Sequence, residues 1–396
     1  MQIESKPIEE VSEADLLELI AVPVPEGKRI EYKRDLPTDT DGKRKLLAAV
    51  ASFANTEGGH LVYGMEEDKG IPVNLCGLRL ADVDKEILRI SQMLDVGCDP
   101  KIRGVHIQPV PLANSSVALV IRIPKSWVAP HMLVAGPVFY NRGSNGKRPL
   151  DASELRMAFI GSEIRAERMR RFRLERLSML LSNEAPVVVD RVAKTVVLAL
   201  HVISATAFES GTAPSLEQIH NKWDFLDLTR RWGNANSYNF DGFLVFPAVN
   251  KDQPFTGYSR YMQLFRTGIV ESIQTYTVGD PPFVYGGDFE AELVKQLGLI
   301  LMMLKWLDVD LPFTVMVSLL NTQAVQIISY PNRHFYSQGN KPIDRDKLLL
   351  PEILIEDYDQ APELVLRPVF DIMWNAAGWA GSINYSEKGE WLLKDN

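Results

Sequence analysis

The run from Glu26 to Asp68 constrains this chain more than any other: EGKRIEYKRDL, a polar turn PTDTDGK, then RKLLAAVASFANTEGGHLVYGMEED. The order of patterns predicts strand, helix, glycine turn, strand. In RIEYKRDL a period of two puts Ile30 and Tyr32 on one face, and Glu31 and Lys33 on the other. Leu46, Leu47, Val50, Phe53 and Ala54 form one apolar helical stripe. Asn55 to Gly59 ends that helix, its glycines supplying the positive φ a helix stop needs. HLVYG follows as a short buried strand whose exit carries Glu66, Glu67 and Asp68. Such a unit brings a charged strand face, a polar helix end and an acidic strand exit within reach of one another.

Upstream, residues 1–11 read as polar and frayed, and Ser12 opens a capping-box-like SEAD before a short helix. Pro23 and Pro25 break it, leaving Glu26 in a loop. Downstream come a helix over 83–94, then VHIQPVPL and SSVALVIRIP as paired strands. A strand at PVFYNR exits into residues 142–148, which read as a flexible, donor-rich loop. Asp151, with Glu154 three residues on, caps a long arginine-rich helix running toward Leu180, whose mixed charges suit a solvated or salt-bridged face. LLSNEAP, residues 180–186, is the expected boundary between a domain at 1–180 and a second, acidic α+β domain at 185–396. There TVVLALHVISATAF is a buried strand or helix segment that periodicity does not decide. A helix over 288–307 and strands at FTVMVSLLN and VQIISY follow.

Charge separates the two halves. Residues 1–180 hold 26 Lys+Arg against 25 Asp+Glu, and the remainder 17 against 26, so the net charge of −8 belongs almost wholly to the second half. Residues 101–150 carry seven basic and no acidic side chains, the asymmetry of a polyanion-facing surface. Arg122, Lys125, Arg142, Lys147 and Arg148, with Lys33, are the expected phosphate contacts. Cys76 and Cys98 make neither a disulfide framework nor a zinc quartet, so no zinc is expected. No apolar run is long enough to span a bilayer and the acidic N-terminus is unlike a targeting peptide, so the expectation is a cytoplasmic protein with no membrane partner.

At EGKRIEYK, ASFANTEGGHLVYGMEED and VFYNRGS the chain resembles the Schlafen core domain, a Schlafen-type Alba-like nucleic-acid-binding domain, over about residues 12–160. The resemblance rests on Glu26, Glu31, Tyr32 and Lys33, on Ser52 to Gly59, on Gly64 to Asp68, and on Tyr140 to Arg142. It implies an α+β chain: an N-terminal Alba-like α/β domain followed by a second α+β domain. In animal relatives the matching acidic residues are implicated in metal-dependent cleavage of tRNA and rRNA. That implies Glu26, Glu31 and Glu66 as catalytic carboxylates with Lys33 beside them, and Glu26, Glu31, Glu66 and Glu67 as ligands of Mg²⁺ or Mn²⁺, ions that favour oxygen donors. Met-Glu-Glu stands here where the family usually has Val-Asp-Asp. The relatives' second lobe and zinc site have no counterpart, so a homodimer is expected to supply the other wall. The expectation is a metal-dependent endoribonuclease acting on tRNA or other structured RNA. The alternative is a non-catalytic DNA- or RNA-binding regulator, the C-terminal domain sensing a ligand or partner. For the residues themselves a plain Glu31–Lys33 surface pair and a solvated turn at GMEED, residues 64–68, remain open.

Overall fold

The computed structural model describes residues 3, 6–190, 194–208, 214–222, 234–248, 256–329 and 341–393. They form an α+β chain of two compact units, 1–164 and 165–396. In the first unit a 3-10 turn at Ile8–Glu10 leads into α1 (Glu13–Ala21). Asp15 closes its capping box, accepting from the Ser12 amide at 2.7 Å. Next come β1 (Ile30–Lys33), α2 (Thr40–Ala54), β2 (Gly59–Tyr63), β3 (Met65–Asp68), β4 (Ile71–Leu75), α3 (Val83–Gly97) and β5 (Cys98–Asp99). The unit continues through β6 (His106–Pro111), β7 (Val117–Ile123), β8 (Met132–Leu133), β9 (Tyr140–Gly143) and β10 (Gly146–Pro149) into α4 (Ala152–Ser182). The main sheet runs β1-β2-β7-β6, with β1 parallel to β2 and the other pairings antiparallel.

Both faces of this sheet are covered. Leu46, Val50 and Phe53 of α2 pack with Leu61, Leu119 and Ile121 on one side. On the other, Ile30, Tyr32, Val62 and Val120 meet Leu16 and Leu19 of α1 together with Ile3, Ile8 and Val11. Ile3, Ile8 and Val11, within the segment expected to fray, are therefore core, because these three apolar side chains cover a sheet face that would otherwise be wet. The α2–β2 turn requires its glycines. Gly58 sits at φ +73°, and a Cβ there would come within 2.7 Å of the Ile123 carbonyl. A Cβ on Gly59 would lie 2.6 Å from the Phe53 ring.

Helix α4 starts where the sequence places it. Asp151 Oδ1 accepts from the amides of Ser153 and Glu154, both at 2.8 Å, and Glu154 Oε2 accepts from the Asp151 amide at 3.1 Å. The two compact units divide inside this helix, between Ile164 and Arg165.

The second unit adds β11 (Thr195–Ser204), α5 (Leu216–Lys222), β12 (Asn234–Tyr238), β13 (Gly242–Pro247), β14 (Arg260–Phe265), β15 (Val270–Thr277), β16 (Phe283–Tyr285) and α6 (Gly286–Trp306). It ends with β17 (Phe313–Leu320), β18 (Gln326–Ile328), β19 (Lys347–Leu349), β20 (Ile353–Ile355) and α7 (Pro362–Ala376); Tyr330 of VQIISY lies outside the described residues. An antiparallel sheet ordered β12-β13-β14-β15-β11-β17-β19 forms its centre, with β20 also on β17. The undecided run at 195–204 is the strand β11, apolar on both faces because both are covered. Val196, Leu198, Leu200 and Val202 join the core with α6 and α7, whereas Val197 and Ala199 pack with Leu177 and Leu180 of α4.

The arginine run on α4 is accordingly not wholly solvated. Arg176 is buried and forks onto Glu271 at 2.7 and 2.9 Å, and the same carboxylate meets His201 Nε2 at 2.9 Å and the Tyr261 hydroxyl at 2.8 Å. Burial pushes the Glu271 carboxyl up, but Arg176 and His201 outweigh it and hold the pKa at about 2. This quartet locks the helix to the sheet. Among the described residues no helix is long and apolar enough to cross a membrane.

Candidate nucleic-acid interface

The first unit concentrates its chemistry where β1 meets the β9–β10 hairpin. Residues 142–148 are this hairpin rather than a flexible loop: Arg142 pairs with Lys147 across it, and Gly146 takes φ +92° just after Asn145. Asn-Gly at that point is a strong hairpin signal. The register turns Arg142 and Lys147 toward β1, where Glu31 is only 5% exposed. Arg142 Nη1 lies 2.6 Å from Glu31 Oε2, while Lys33 Nζ and Lys147 Nζ approach Glu31 Oε1 at 3.0 and 3.4 Å. Burial pushes the Glu31 pKa up, but Lys147, Lys33 and Arg142 together outweigh it and hold the carboxyl at about 2.

Glu26 completes the cluster. Its Oε1 accepts from the Tyr32 amide at 2.8 Å and from Lys33 Nζ at 3.3 Å. Its own amide donates to the Gly70 carbonyl at 2.6 Å. Three cations thus face two carboxylates, leaving a local excess of positive charge. Lys33 is 41% exposed at its side chain and Lys147 26%, so both ammonium groups reach solvent from a buried anchor.

The FANTEGG stretch is what holds the hairpin in place. Asn55, capping the end of α2, donates through Nδ2 to the carbonyls of His131 (3.0 Å) and Tyr140 (2.8 Å) and accepts from the His131 amide at 2.7 Å. Thr56 Oγ1 accepts from the Arg142 amide at 3.0 Å. The Arg142 guanidinium stacks over Phe53, 4.0 Å from its centroid, and donates to the Gly27 carbonyl at 2.6 Å. His131 is buried with ring nitrogens 2.6 Å from Pro100 O and from Ser126 Oγ. Asn55, Thr56 and His131 were not foreseen as functional positions. Asn55 and Thr56 fall in the Ser52 to Gly59 stretch that carries the resemblance, and Asn-Thr directly after an apolar helical stripe marks a cap but not its partner.

Other expected site residues lie differently. Arg142 is buried and fully engaged, so it is a structural pin and presents no face to a phosphate. Arg122 donates to the Ile3 and Lys6 carbonyls at 2.7 and 2.8 Å and to His60 Nε2 at 2.9 Å, tying the N-terminal segment to the sheet. Arg148 forks onto Glu154 with one contact at 2.8 Å, and Lys125 lies over the Trp127 ring at 3.9 Å. Glu66 pairs with Arg34 at 2.8 Å and accepts from Asn74 at 2.8 Å. Glu67 accepts from the Gly70 amide. Glu26 and Glu31 share the Lys33 ammonium, but Glu66 and Glu67 turn to other partners. Among the described residues no group of three or more His, Cys, Asp or Glu side chains could hold a metal ion. The expected carboxylate set for Mg²⁺ or Mn²⁺ is not assembled, because basic neighbours occupy Glu26, Glu31 and Glu66 while Glu67 turns to the Gly70 amide, and as placed they do not fit a divalent cation.

Comparison with protein families matches residues 26–151 to the family described as "Schlafen, AlbA_2". Residues 26–151 are a Schlafen, AlbA_2 domain. The match supports a nucleic-acid-related function for this domain. It spans the elements from the Glu26 loop to the end of the β9–β10 hairpin, so all of the Glu31 cluster lies within it. No curated protein matches the chain. Among solved structures, the N-terminal domain of a protein from Nitrosomonas europaea described as related to the ATP-dependent DNA helicase RecG is 27% identical, covering 29% of this chain and 74% of that one, with a TM-score of 0.24. The DIP2311 protein from Corynebacterium diphtheriae is 19% identical, covering 36% of this chain and 30% of that one, with a TM-score of 0.27.

Proposed function

We propose that the AlbA_2 domain binds nucleic acid without cleaving it, gripping the phosphate backbone through Lys33 and Lys147. One observation supports this above the others: two part-exposed ammonium groups converge on a single oxygen of buried Glu31, at 3.0 and 3.4 Å. An ammonium has three donors: Lys147 Nζ spends one on Glu31 and keeps others for phosphate oxygens, whereas Lys33 Nζ already meets Glu31, Glu26 and the Tyr32 carbonyl at 2.7 Å and so acts on a phosphate chiefly through its charge. Because Glu31 already holds both side chains, binding costs little further side-chain entropy. Lys28 and Arg29, exposed at the start of β1 beside Glu57, extend the basic rim. Contacts of this kind position a backbone and carry no base sequence, so RNA and DNA both fit, tRNA included.

A nuclease would need carboxylates free to act, and here Glu31 is neutralised by three cations. The test incubates the full chain with tRNA and with duplex DNA in Mg²⁺ and in Mn²⁺. Retention of intact nucleic acid, lost in Lys33→Glu/Lys147→Glu, is the expected result. Cleavage that EDTA and Glu31→Gln both abolish would overturn this reading in favour of a metal-dependent endoribonuclease. The second unit, with its acidic excess, is on this reading the regulatory or assembly module, and it contributes no phosphate contact.

A further inference from the structure

Helix α4 carries an apolar stripe that its own unit does not cover. Met157, Ile160 and Ile164 are 64%, 37% and 48% exposed. They follow one another at three and four residues, the spacing of a coiled-coil seam. Over the same turns Leu155, Ala158 and Ser162 are shielded on the other side of the helix, and Gly161 is half-buried at one edge of the stripe. Neighbouring Phe159 is instead engaged with Phe139, ring to ring at 5.9 Å.

The charges flanking the stripe select its occupant. Arg156 and Glu163 are both exposed, lie along one edge of the seam seven residues apart, and have no ion-pair partner among the described residues. In an antiparallel pair of helices related by a two-fold axis near Ile160, like edges meet. Met157 then faces Ile164 of the second copy, and Arg156 faces the second copy's Glu163, twice over by symmetry. A parallel pair would set Arg156 against the edge that carries Gly161 and form no such bridge.

We infer that residues 156–164 of α4 form a self-complementary surface that pairs antiparallel with the same segment of a second copy of this chain. This is independent of what the Lys33–Lys147 site binds. Three exposed apolar side chains per copy cover less than the roughly 800 Å² a side of a standard stable interface, so the dimer is weak and concentration-dependent. The experiment is sedimentation of the full chain from micromolar to near-millimolar concentration. The mass should rise toward twice the monomer, and Ile160→Asp should hold it at the monomer with an unchanged circular dichroism spectrum. Arg156→Glu and Glu163→Arg should each weaken association about tenfold, since each turns two attractions into two repulsions. The double variant Arg156→Glu/Glu163→Arg should restore it. A monomer at every concentration, a dimer indifferent to Ile160→Asp, or a double variant no better than the singles would each overturn the proposal.

Discussion

Replacing Glu31 by glutamine keeps the volume of the buried anchor and removes its charge. Its carboxyl is held at about 2 against an ordinary 4.5, and at about 1.4 kcal/mol per pKa unit this amounts to about 3 kcal/mol at neutral pH. Removing one partner of a buried ion pair costs about 3–5 kcal/mol by a separate route, because the remaining charge, here Arg142, is stranded out of water. The two figures agree. For a unit of this size, about 3 kcal/mol lowers the thermal midpoint by roughly 6–12 °C. Calorimetry of the full chain reads the shift, and hydrogen exchange of β1 and β2 assigns it to the first unit. The sign with pH is fixed: a depressed carboxyl pKa stabilises above 4.5, and that contribution is lost as pH falls from about 4.5 toward 2. Wild type should show this acid-side loss and Glu31→Gln should lack it. A midpoint shift below about 2 °C, or identical acid profiles, would refute the view that Glu31 anchors the cluster.

Asn55→Ala removes the three hydrogen bonds that clamp the His131 and Tyr140 segments, at a cost of about 3 kcal/mol. It should also weaken nucleic-acid binding by loosening the hairpin that carries Lys147, and chemical denaturation alongside a binding assay reads both effects. His60 is buried beside Arg122, and burial followed by that charge pushes its pKa down to about 4 from 6.5. The unfolded chain therefore takes up this proton first, and the first unit should lose stability as pH falls from about 6.5 to about 4, a slope that denaturant titrations should find flattened in His60→Gln.

Much of the first unit is local in origin and was legible for that reason. The alternation of Ile30 to Lys33, the stripe from Leu46 to Ala54 and the Asp151–Glu154 box are each decided within one turn or one strand. The hairpin was legible too, in Asn145-Gly146, although residues 142–148 read more readily as an open loop because their donors outnumber their apolar residues. What the chain did not disclose depends on distant partners. Arg142 looks like a surface cation until Glu31, Gly27 and Phe53 close around it. Arg176 looks like one more solvated helix charge until Glu271 is brought beneath it. The resemblance offers the glutamates at 26, 31 and 66 to a metal, and only the fold shows that Lys33, Arg142 and Arg34 satisfy them instead. Ile3, Ile8 and Val11 lacked any periodic pattern and are core because a sheet face needed covering.

The salt dependence of binding tests the central claim most directly. Fluorescence anisotropy of a labelled duplex, titrated with the full chain at several salt concentrations, gives the slope of log affinity against log salt. Each phosphate contact contributes about 0.9 to that slope on duplex DNA, so Lys33→Gln/Lys147→Gln should flatten it by about 1.8 and weaken binding alike on unrelated sequences. An unchanged slope and affinity in the double variant, with the wild-type chain binding tightly, would contradict the assignment of these two lysines as the phosphate grip.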